Sequence, residues 1–261
     1  MEYLTLNNGV QMPLVGFGTF MLGGETCKKA VATAIETGYR MIDTAEAYGN
    51  EKEVGEGIQQ SGIDRGELFL VTKVNFKSYE HAEQTVLQSL ADLQTDYLDL
   101  LLLHWPFANY YAAWRVLEKL YADGKVRAIG VSNFEPDQLL DLIAYHKIVP
   151  AVDQIETNLY CQRITERGWM DKKHVAHMAY APLGQGNRNG MYREPAVLAR
   201  QCKIKKGEIL FDMLRLGTSG DDGDALLGQE AEQDLRRGLA VLLSEGQHGG
   251  LPRWIRLKRT S

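Results

Sequence analysis

The sequence predicts an α/β protein, a (β/α)8 TIM barrel that begins with a β-hairpin and whose eighth βα unit is atypical or missing. Strand-like and helix-like segments alternate between residues 14 and 216, and the strands are almost continuously apolar, which indicates a parallel sheet covered by helices. The chain of 261 residues just accommodates such a barrel, which needs roughly 250 residues. A doubly wound sheet is the alternative, but the Gly-rich stretch after the first strand lacks the spacing of a dinucleotide fingerprint, and no helix begins there.

The elements follow one another in a regular order. Asn8 and Gly9 favour the turn of the N-terminal hairpin, because both positions of such a turn take positive φ. Apolar runs predict seven strands, over residues 14–17, 40–43, 68–74, 97–103, 126–131, 151–155 and 175–181. Helical spacing predicts helices over residues 27–37, 51–60, 81–93, 112–123, 135–145, 168–173 (weakly), 195–202 and 206–216.

The chain changes in character at Gly217. The last segment is Gly-rich, first acidic and then basic, and only residues 238–244 offer a strand-like apolar run. We therefore divide the chain into a barrel over residues 1–216 and a divergent segment over residues 217–261. Either residues 239–243 supply a makeshift eighth strand, or the barrel is open and exposes unpaired strand edges.

The composition limits the classes of partner. Hydrophobic residues make up 44% and charged residues 24%, which is an ordinary globular balance. No apolar run reaches the ~20 residues of a membrane span, no signal-peptide pattern begins the chain, and the net charge of −5 argues against nucleic acid. The three widely spaced cysteines give neither a disulfide framework nor metal spacing, so we expect a cytoplasmic protein without a metal.

Polar residues gather where the predicted strands end, which is where the active site of a βα barrel lies. Asp43 ends the second strand, Lys73 lies on the third and His104 follows the fourth, with Tyr48 just beyond Asp43. Each has a structural explanation when taken alone: an ion-pair lysine, a core histidine, a loop aromatic. Their joint placement at one mouth favours a catalytic site.

These residue types together predict a tuned general acid. An ammonium group beside a phenol lowers the pKa of the phenol, and a carboxylate fixes that ammonium group in place. Asp43, Lys73 and Tyr48 can therefore deliver a proton, while His104 can orient a carbonyl oxygen. The sequence shows no nucleophile elbow and no metal-ligand spacing, so acyl transfer and metal chemistry are not expected.

Seven stretches resemble the aldo-keto reductase family in order and spacing, over about 200 residues. They are VGFGTF near residue 15, GYRMIDTAEAYGNE at 38–51, LFLVTKV at 68–74, DLLLLHWP at 99–106, VRAIGVSNF at 126–134, VDQIE at 152–156 and AYAPLGQG at 179–186. The short loop after HWP and the phrase AAWRVLEKLYADGKVRAIGVSNF are most similar to bacterial members such as the 2,5-diketo-D-gluconate reductases.

The resemblance implies an enzyme that reduces aldehydes and ketones, such as small dicarbonyls or keto sugars, with NADPH as hydride donor. The residues that match the catalytic tetrad are Asp43, Tyr48, Lys73 and His104. Those that match the cofactor site are Ser132, Asn133 and Gln154 for the carboxamide, Tyr180 for the nicotinamide ring, and Pro182, Leu183 and Gly184 beside the pyrophosphate. Those that match the walls of the substrate pocket are Phe20, Met21 and Trp105. Monomers are common in this family, so we expect a monomer.

The C-terminal segment departs from the family pattern. Members carry an eighth strand of the type V-V-x-I-P-K-S and then a helix with Arg and Asn; the Lys-Ser and the Arg bind the adenosine ribose and its 2′-phosphate. Residues 217–228 occupy that place without this motif, so we expect weaker cofactor binding and loss of the NADPH preference. One hypothesis is a frame shift, because residues 220–225 can be encoded so that the +1 frame reads Gly-Met-Thr-Val-Met-Pro. A divergent native end is the other, and resequencing the gene distinguishes them.

Two alternatives to the enzyme stay open. The chain could be a non-catalytic nicotinamide-binding module on the same fold, or an inactive product with a damaged C-terminus. The complete tetrad favours the enzyme, because a scaffold has no need of a lysine beside a tyrosine.

Overall fold

The computed structural model describes residues 2–158, 160–182 and, for the backbone alone, 239–243. A hairpin comes first and pairs β1 (Tyr3–Thr5) with β2 (Gln11–Pro13) in antiparallel register. Gly9 in its turn has a φ of 86°, as predicted, but the prediction of a positive φ at Asn8 is wrong. The N–H of Gly9 donates to the carbonyl of Leu6, so Asn7 and Asn8 are the central residues of this turn and Gly9 follows them. Among these residues, no helix is long and apolar enough to cross a membrane.

Eight parallel strands close into a barrel after the hairpin, in the order β10-β3-β4-β5-β6-β7-β8-β9. The strands are β3 (Val15–Gly18), β4 (Met41–Asp43), β5 (Phe69–Val74), β6 (Leu100–Leu103), β7 (Ile129–Ser132), β8 (Val152–Glu156), β9 (Ala176–Tyr180) and β10 (Leu239–Leu243). The helices are α1 (Gly24–Glu36), α2 (Glu51–Ser61), α3 (Ala82–Asp92), α4 (Tyr110–Ala122), α5 (Pro136–Tyr145) and α6 (Ile164–Lys172).

The predicted barrel is confirmed, and of the two alternatives for its eighth strand the structure has the makeshift one. β10 lies parallel to both β9 and β3, so the sheet has no free edge. The predicted helices at 195–202 and 206–216 lie outside the described residues, and the boundary at residue 216 stays a prediction. Helix α6 begins at Ile164 rather than at the predicted residue 168. The sequence pattern missed this start because Met170 is the one buried residue of the helix, so its apolar periodicity is weak.

Strand alternation divides the core into two layers. On β6, Leu100 and Leu102 point into the barrel, whereas Leu101 and Leu103 pack under the helices. Met41 on β4 and Val71 on β5 belong to the inner layer as well. The same two-residue period then carries Asp43 and Lys73 to the inside, above this apolar layer. The fold thus buries two charged groups at one end of the barrel.

The hairpin closes the opposite end of the barrel. Leu6 and Met12 are buried against the inner layer, where Met41 and Phe69 lie. Two of the hairpin's asparagines fasten it to the neighbouring loops: Asn7 donates to the carbonyl of Pro150 and Asn8 to that of Arg127. The lower end is therefore a packed floor.

The lower rim also carries a buried ion cluster. The Asp99 carboxylate is fully buried and lies 2.8 Å from Arg65 and 2.7 Å from Arg127. It accepts a further hydrogen bond from the backbone N–H of Leu70. Arg65 also donates to the backbone carbonyls of Leu68 and Tyr97 and stacks on the Tyr97 ring. The cluster joins β5, β6 and the start of β7.

Candidate active site

Asp43 and Lys73 form a buried ion pair at the carboxyl ends of β4 and β5. Lys73 Nζ lies 2.6 Å from Asp43 Oδ1 and 2.7 Å from the carbonyl oxygen of Thr44. Tyr48 ends the single 3-10 turn Glu46–Tyr48, and Lys73 Nζ lies 5.3 Å from the centroid of its ring. An ammonium group has three donors, and Asp43 and Thr44 accept two of them, so the third is available to the Tyr48 oxygen.

The surroundings keep Tyr48 protonated and Lys73 charged. Burial raises the pKa of the Tyr48 hydroxyl, and the Lys73 ammonium opposes it. Lys73 lowers the pKa of Tyr48, as expected. The net direction is nevertheless upward, because burial raises this pKa by more than the lysine lowers it. Burial lowers the pKa of Lys73, but Asp43 and Tyr48 raise it by more, so its net direction is upward.

His104 follows β6 and faces the same mouth. Its ring centroid lies 5.8 Å from that of Tyr48, at an edge-to-face angle. Burial and the Lys73 charge lower the pKa of His104 to about 3, so the imidazole is neutral at pH 7. Nδ1 of His104 is buried without a hydrogen-bond partner in the described part of the chain. The protonated-Nε2 tautomer leaves an acceptor rather than a donor unpaired, so this ring can offer an Nε2–H to a ligand.

Four of the residues predicted to bind the cofactor form one network beside the ion pair. The Ser132 hydroxyl donates to the Gln154 carbonyl (2.8 Å), the Asn133 amide donates to Ser132 Oγ (3.1 Å), and the Tyr180 hydroxyl donates to Asn133 Oδ1 (2.9 Å). Gln154 Nε2 donates to Asp43 Oδ2 at 2.9 Å. The amide of Gln154 thereby joins this network to the ion pair. Pro182 is buried two residues after the end of β9, while Leu183 and Gly184 lie outside the described residues.

The residues predicted to line the pocket flank the two reactive rings. Phe20 lies on the Tyr48 side, with ring centroids 5.0 Å apart, and Trp105 is stacked beside His104 at 6.1 Å. Met21 follows Phe20 with a φ of 64°. Phe20 and Met21 are 40% and 43% exposed. Large apolar side chains that stay open to solvent around a few polar groups are typical of a ligand pocket.

The family pattern described as Aldo/keto reductase family matches residues 14–212. The chain belongs to this family. Among curated relatives it is 50% identical over 196 residues to morphine 6-dehydrogenase of Pseudomonas putida, a match that covers 72% of this chain and 65% of that protein. It is 44% identical over 189 residues to glyoxal reductase of Bacillus subtilis, covering 71% of this chain and 68% of that protein. This chain therefore spans about two thirds of the length of these relatives.

Solved aldo-keto reductases have the same fold. An aldo/keto reductase from Brucella melitensis superposes with a TM-score of 0.79 at 31% identity, over 94% of this chain and 88% of that one. An aldo-keto reductase from Bombyx mori, determined in complex with NADP, gives a TM-score of 0.78 at 29% identity, over 94% and 83% of the two chains. The predicted family and barrel are confirmed. The finer resemblance to 2,5-diketo-D-gluconate reductases stays a prediction.

Sequence reasoning overlooked several residues that shape the site of this aldo-keto reductase. The buried Asn50 accepts from the Thr44 hydroxyl and donates to the carbonyls of Thr19 and Leu22, so it holds the turn that presents Phe20. Phe107 stacks on Trp105 at 5.7 Å and is half-exposed. Asn50 lies inside a quoted motif, which was a usable signal; Phe107 has none, because its role depends on how a loop turns back.

Proposed function

We propose that this chain is an NADPH-dependent oxidoreductase that reduces aldehydes and ketones to alcohols, with Tyr48 as the general acid. The observation that carries the proposal is the buried Lys73–Asp43 pair beside Tyr48: Asp43 and the Thr44 carbonyl accept two of the Lys73 donors, and Lys73 Nζ lies 5.3 Å from the Tyr48 ring centroid. The third donor can serve the phenol oxygen, which leaves the phenol proton for a ligand at the mouth.

Tyr48 and His104 act together on the substrate oxygen in this proposal. The neutral His104 donates a hydrogen bond and orients the carbonyl, and Tyr48 gives up its proton as negative charge develops on that oxygen. The Lys73 ammonium then stabilises the phenolate that remains, because its charge lies beside the Tyr48 ring and favours the ionised phenol. Asp43 keeps Lys73 in place and charged.

The network around Asn133 fits the nicotinamide end of a dinucleotide. A carboxamide needs both donors and acceptors, and Ser132, Asn133 and Gln154 bring hydroxyl and amide groups together at the strand ends. Asn133, directly after the end of β7, takes a left-handed conformation with a φ of 62°, which is uncommon for a residue other than glycine and is often found at functional sites. Tyr180, anchored by its hydroxyl, would offer the face of its ring. When bound, NADPH would supply a hydride to the carbonyl carbon.

Small dicarbonyls or keto sugars are the proposed substrates. Two relatives support carbonyl reduction by their names, glyoxal reductase and the NADPH-dependent D-xylose reductase of Meyerozyma guilliermondii, to which the chain is 38% identical. The aromatic rings of Phe20 and Trp105 close two sides of the site, which leaves the polar groups of Tyr48 and His104 at its base.

The test is oxidation of NADPH with methylglyoxal by the full chain, followed as loss of NADPH absorbance. We expect activity that the Tyr48→Phe variant lowers by about 10²–10⁴-fold. Tyr145→Phe is the matched control, because Tyr145 is 76% exposed on the far end of α5. Equal rates for the wild-type chain and Tyr48→Phe would contradict the proposal.

A non-catalytic binding module is the second candidate. The hydrogen bond from Gln154 to Asp43, which connects the tetrad to the cofactor network, is compatible with such a module. A module of this kind should bind NADPH in a fluorescence titration and unfold cooperatively, without turnover.

We also propose that residues 217–261 are a divergent segment and that they weaken cofactor binding and NADPH selectivity. Tight and NADPH-selective binding in the same titration would contradict that proposal.

We further propose a cytoplasmic monomer. Monomers are common in the aldo-keto reductase family, and three widely spaced cysteines without a disulfide framework are typical of a reducing compartment. Light scattering at several protein concentrations tests the oligomeric state, and a concentration-dependent mass would contradict it.

A further inference from the structure

A short 3-10 turn, Phe76–His81, follows β5 and lies between the two loops that carry the reacting side chains. We call it, with its cap Asn75, the bridging turn. Two hydrogen bonds to Asn75 stabilise the start of this turn. The Asn75 side-chain oxygen accepts from the backbone N–H of Lys77, and its backbone carbonyl accepts from the backbone N–H of Ser78. The turn begins two residues after Lys73. No residue of the turn belongs to the tetrad or to the cofactor network.

Glu46 fastens the Tyr48 loop to the bridging turn. It begins the same single 3-10 turn that ends at Tyr48. Oε2 of Glu46 accepts from the backbone N–H of Asn75 at 2.8 Å, and Oε1 accepts from the hydroxyl of Ser78. A carboxylate that accepts from two donors at the start of a 3-10 turn is held in one position. Tyr48, two residues further on, is held with it.

Tyr79 fastens the His104 loop to the same turn from the other side. Its hydroxyl donates to the carbonyl of Trp105 at 2.6 Å and accepts from the backbone N–H of Trp105 at 3.3 Å. Tyr79 is 2% exposed, so these bonds are shielded from water. The ring of Phe76 adds an edge-to-face contact with Phe107 at 5.4 Å. The loop with His104 and Trp105 is thus tied to the turn that also holds the Tyr48 loop.

We propose that Glu46 and Tyr79 are positioning residues, and that the bridging turn sets the spacing between the Tyr48 hydroxyl and the His104 ring. The two groups must meet at one carbonyl oxygen, and each is carried by a loop that has no direct hydrogen bond to the other loop in the described structure. Both loops are hydrogen-bonded at their starts to β5, through Thr44 and His104, and beyond that strand the bridging turn is bonded to both of them. This inference rests on the proposed function.

The proposal predicts a specific kinetic signature. Misplacement of a catalytic group by about 1 Å can cost as much as 10²-fold in rate, so Glu46→Ala should lower kcat by about tenfold or more. NADPH binding should stay within about twofold, because the Glu46 carboxylate bonds to the turn, whereas the cofactor network lies on β7, β8 and β9 and reaches this side through the bond from the Asn133 amide to the His104 carbonyl. The signature is a loss in kcat with an unchanged Kd for NADPH.

The conservative variant separates positioning from general damage. In Glu46→Gln the amide can accept from the Asn75 N–H and donate to the Ser78 oxygen, so both ties are kept. We therefore expect Glu46→Gln to recover most of the kcat that Glu46→Ala loses. Glu80→Ala on the same turn is the control, since Glu80 is exposed. If Glu46→Ala keeps its kcat, or if Glu46→Gln is no better than Glu46→Ala, the proposal is wrong.

A double-mutant cycle tests whether the two ties act through one element. Tyr79→Phe removes both hydrogen bonds to Trp105 and keeps the buried ring. If the turn is a single spacer, loss of the bonds at either end already allows the distance between Tyr48 and His104 to vary. The fold-loss in kcat of the double variant Glu46→Ala with Tyr79→Phe should then be smaller than the product of the two single fold-losses. Multiplicative losses would show two independent local effects and would overturn the proposal.

Failure of this inference can be told apart from failure of the proposed function. Tyr48→Phe is measured in the same assay and by the same NADPH titration. If Tyr48→Phe abolishes turnover while Glu46→Ala does not change it, the enzyme proposal stands and the spacer is rejected. If the wild-type chain shows no turnover at all, the enzyme proposal fails first.

Discussion

Two buried aspartates, at opposite ends of the barrel, are paired with cations in different ways. At the lower rim Asp99 has two arginine partners and a backbone N–H, and Arg65 is in turn held by three further acceptors. At the upper mouth Asp43 has one lysine, Lys73, and one amide, from Gln154. Lys73 also lies beside Tyr48, at 5.3 Å from its ring centroid, and the Tyr48 hydroxyl has a proton to give.

The difference separates stability from chemistry. The Asp99 cluster joins three strands, and the Asp99 carboxylate and the Arg65 guanidinium make their hydrogen bonds within it. The Asp43–Lys73 pair instead contacts groups that can act on a ligand: Lys73 lies beside Tyr48, and Asp43 accepts a hydrogen bond from Gln154 of the cofactor network. Burial raises the pKa of Asp43, and the Lys73 ammonium opposes this. A buried pair that ends on an ionisable hydroxyl is typical of a functional site.

The largest effect should come from breaking the upper pair with Lys73→Met. The Tyr48 phenolate loses its cation, so we expect kcat to fall by about 10²–10⁴-fold. Asp43 is left without its ammonium and should take up a proton, since burial already raises its pKa. The double variant Asp43→Asn with Lys73→Met should regain stability without regaining activity. Steady-state kinetics and urea unfolding together check both halves, and an active Lys73→Met would remove the basis of the comparison.

Breaking the lower pair should have the opposite profile. Asp99→Asn leaves two arginines facing an amide, and we expect the free energy of unfolding to fall by about 3–5 kcal/mol. The kcat of the protein that remains folded should be unchanged, because the cluster lies at the far end of the barrel. Asp96→Asn is the control, with an exposed carboxylate three residues earlier. A loss of kcat in Asp99→Asn at a temperature where it is folded would contradict this division.

His177 represents a third way to bury an ionisable group, as an uncharged one. Burial and the Arg167 charge lower the pKa of His177 to about 3, and its Nε2 lies 2.8 Å from the Thr157 hydroxyl. The unfolded chain binds this proton near pH 6.5, so stability is full above that pH and falls as the pH drops toward 3, by up to about 1.4 kcal/mol per pH unit. Urea unfolding between about pH 7 and about pH 5 should show a shallower slope for His177→Gln than for the control His81→Gln. Parallel slopes would count against a neutral His177.

The smallest effect should come from the outer arginine of the lower cluster. The Arg127 side chain is 49% exposed, whereas that of Arg65 is 22% exposed and more fully hydrogen-bonded. Arg127→Gln should therefore lower the free energy of unfolding by about 1 kcal/mol or less, and Arg65→Gln should lower it by more. Thermal unfolding of the two variants ranks them. The reverse order would mean that exposure does not govern these bonds.

The order of the elements could be predicted because it rests on local pattern. Apolar runs identified β6 and its neighbours, and the motif at 38–51 placed Asp43 and Tyr48. The start of α6 was missed because one buried residue gives no period. The net direction of the Tyr48 pKa was missed because desolvation depends on packing from several strands. Glu46 lies inside the motif at 38–51 and Tyr79 lies outside it, but neither role could be predicted, since their partners lie about 26–32 positions away along the chain.

The packed floor gives the barrel the form of a cup rather than a tube. Leu6 and Met12 seal the base beneath Met41 and Phe69, and this inner layer is apolar. We therefore expect a proton that leaves Tyr48 to be replaced through the rim by which the carbonyl compound enters. The acid would then be refilled after the alcohol has departed, and the hairpin, which is remote from the reacting atoms, would influence the order of events in each turnover.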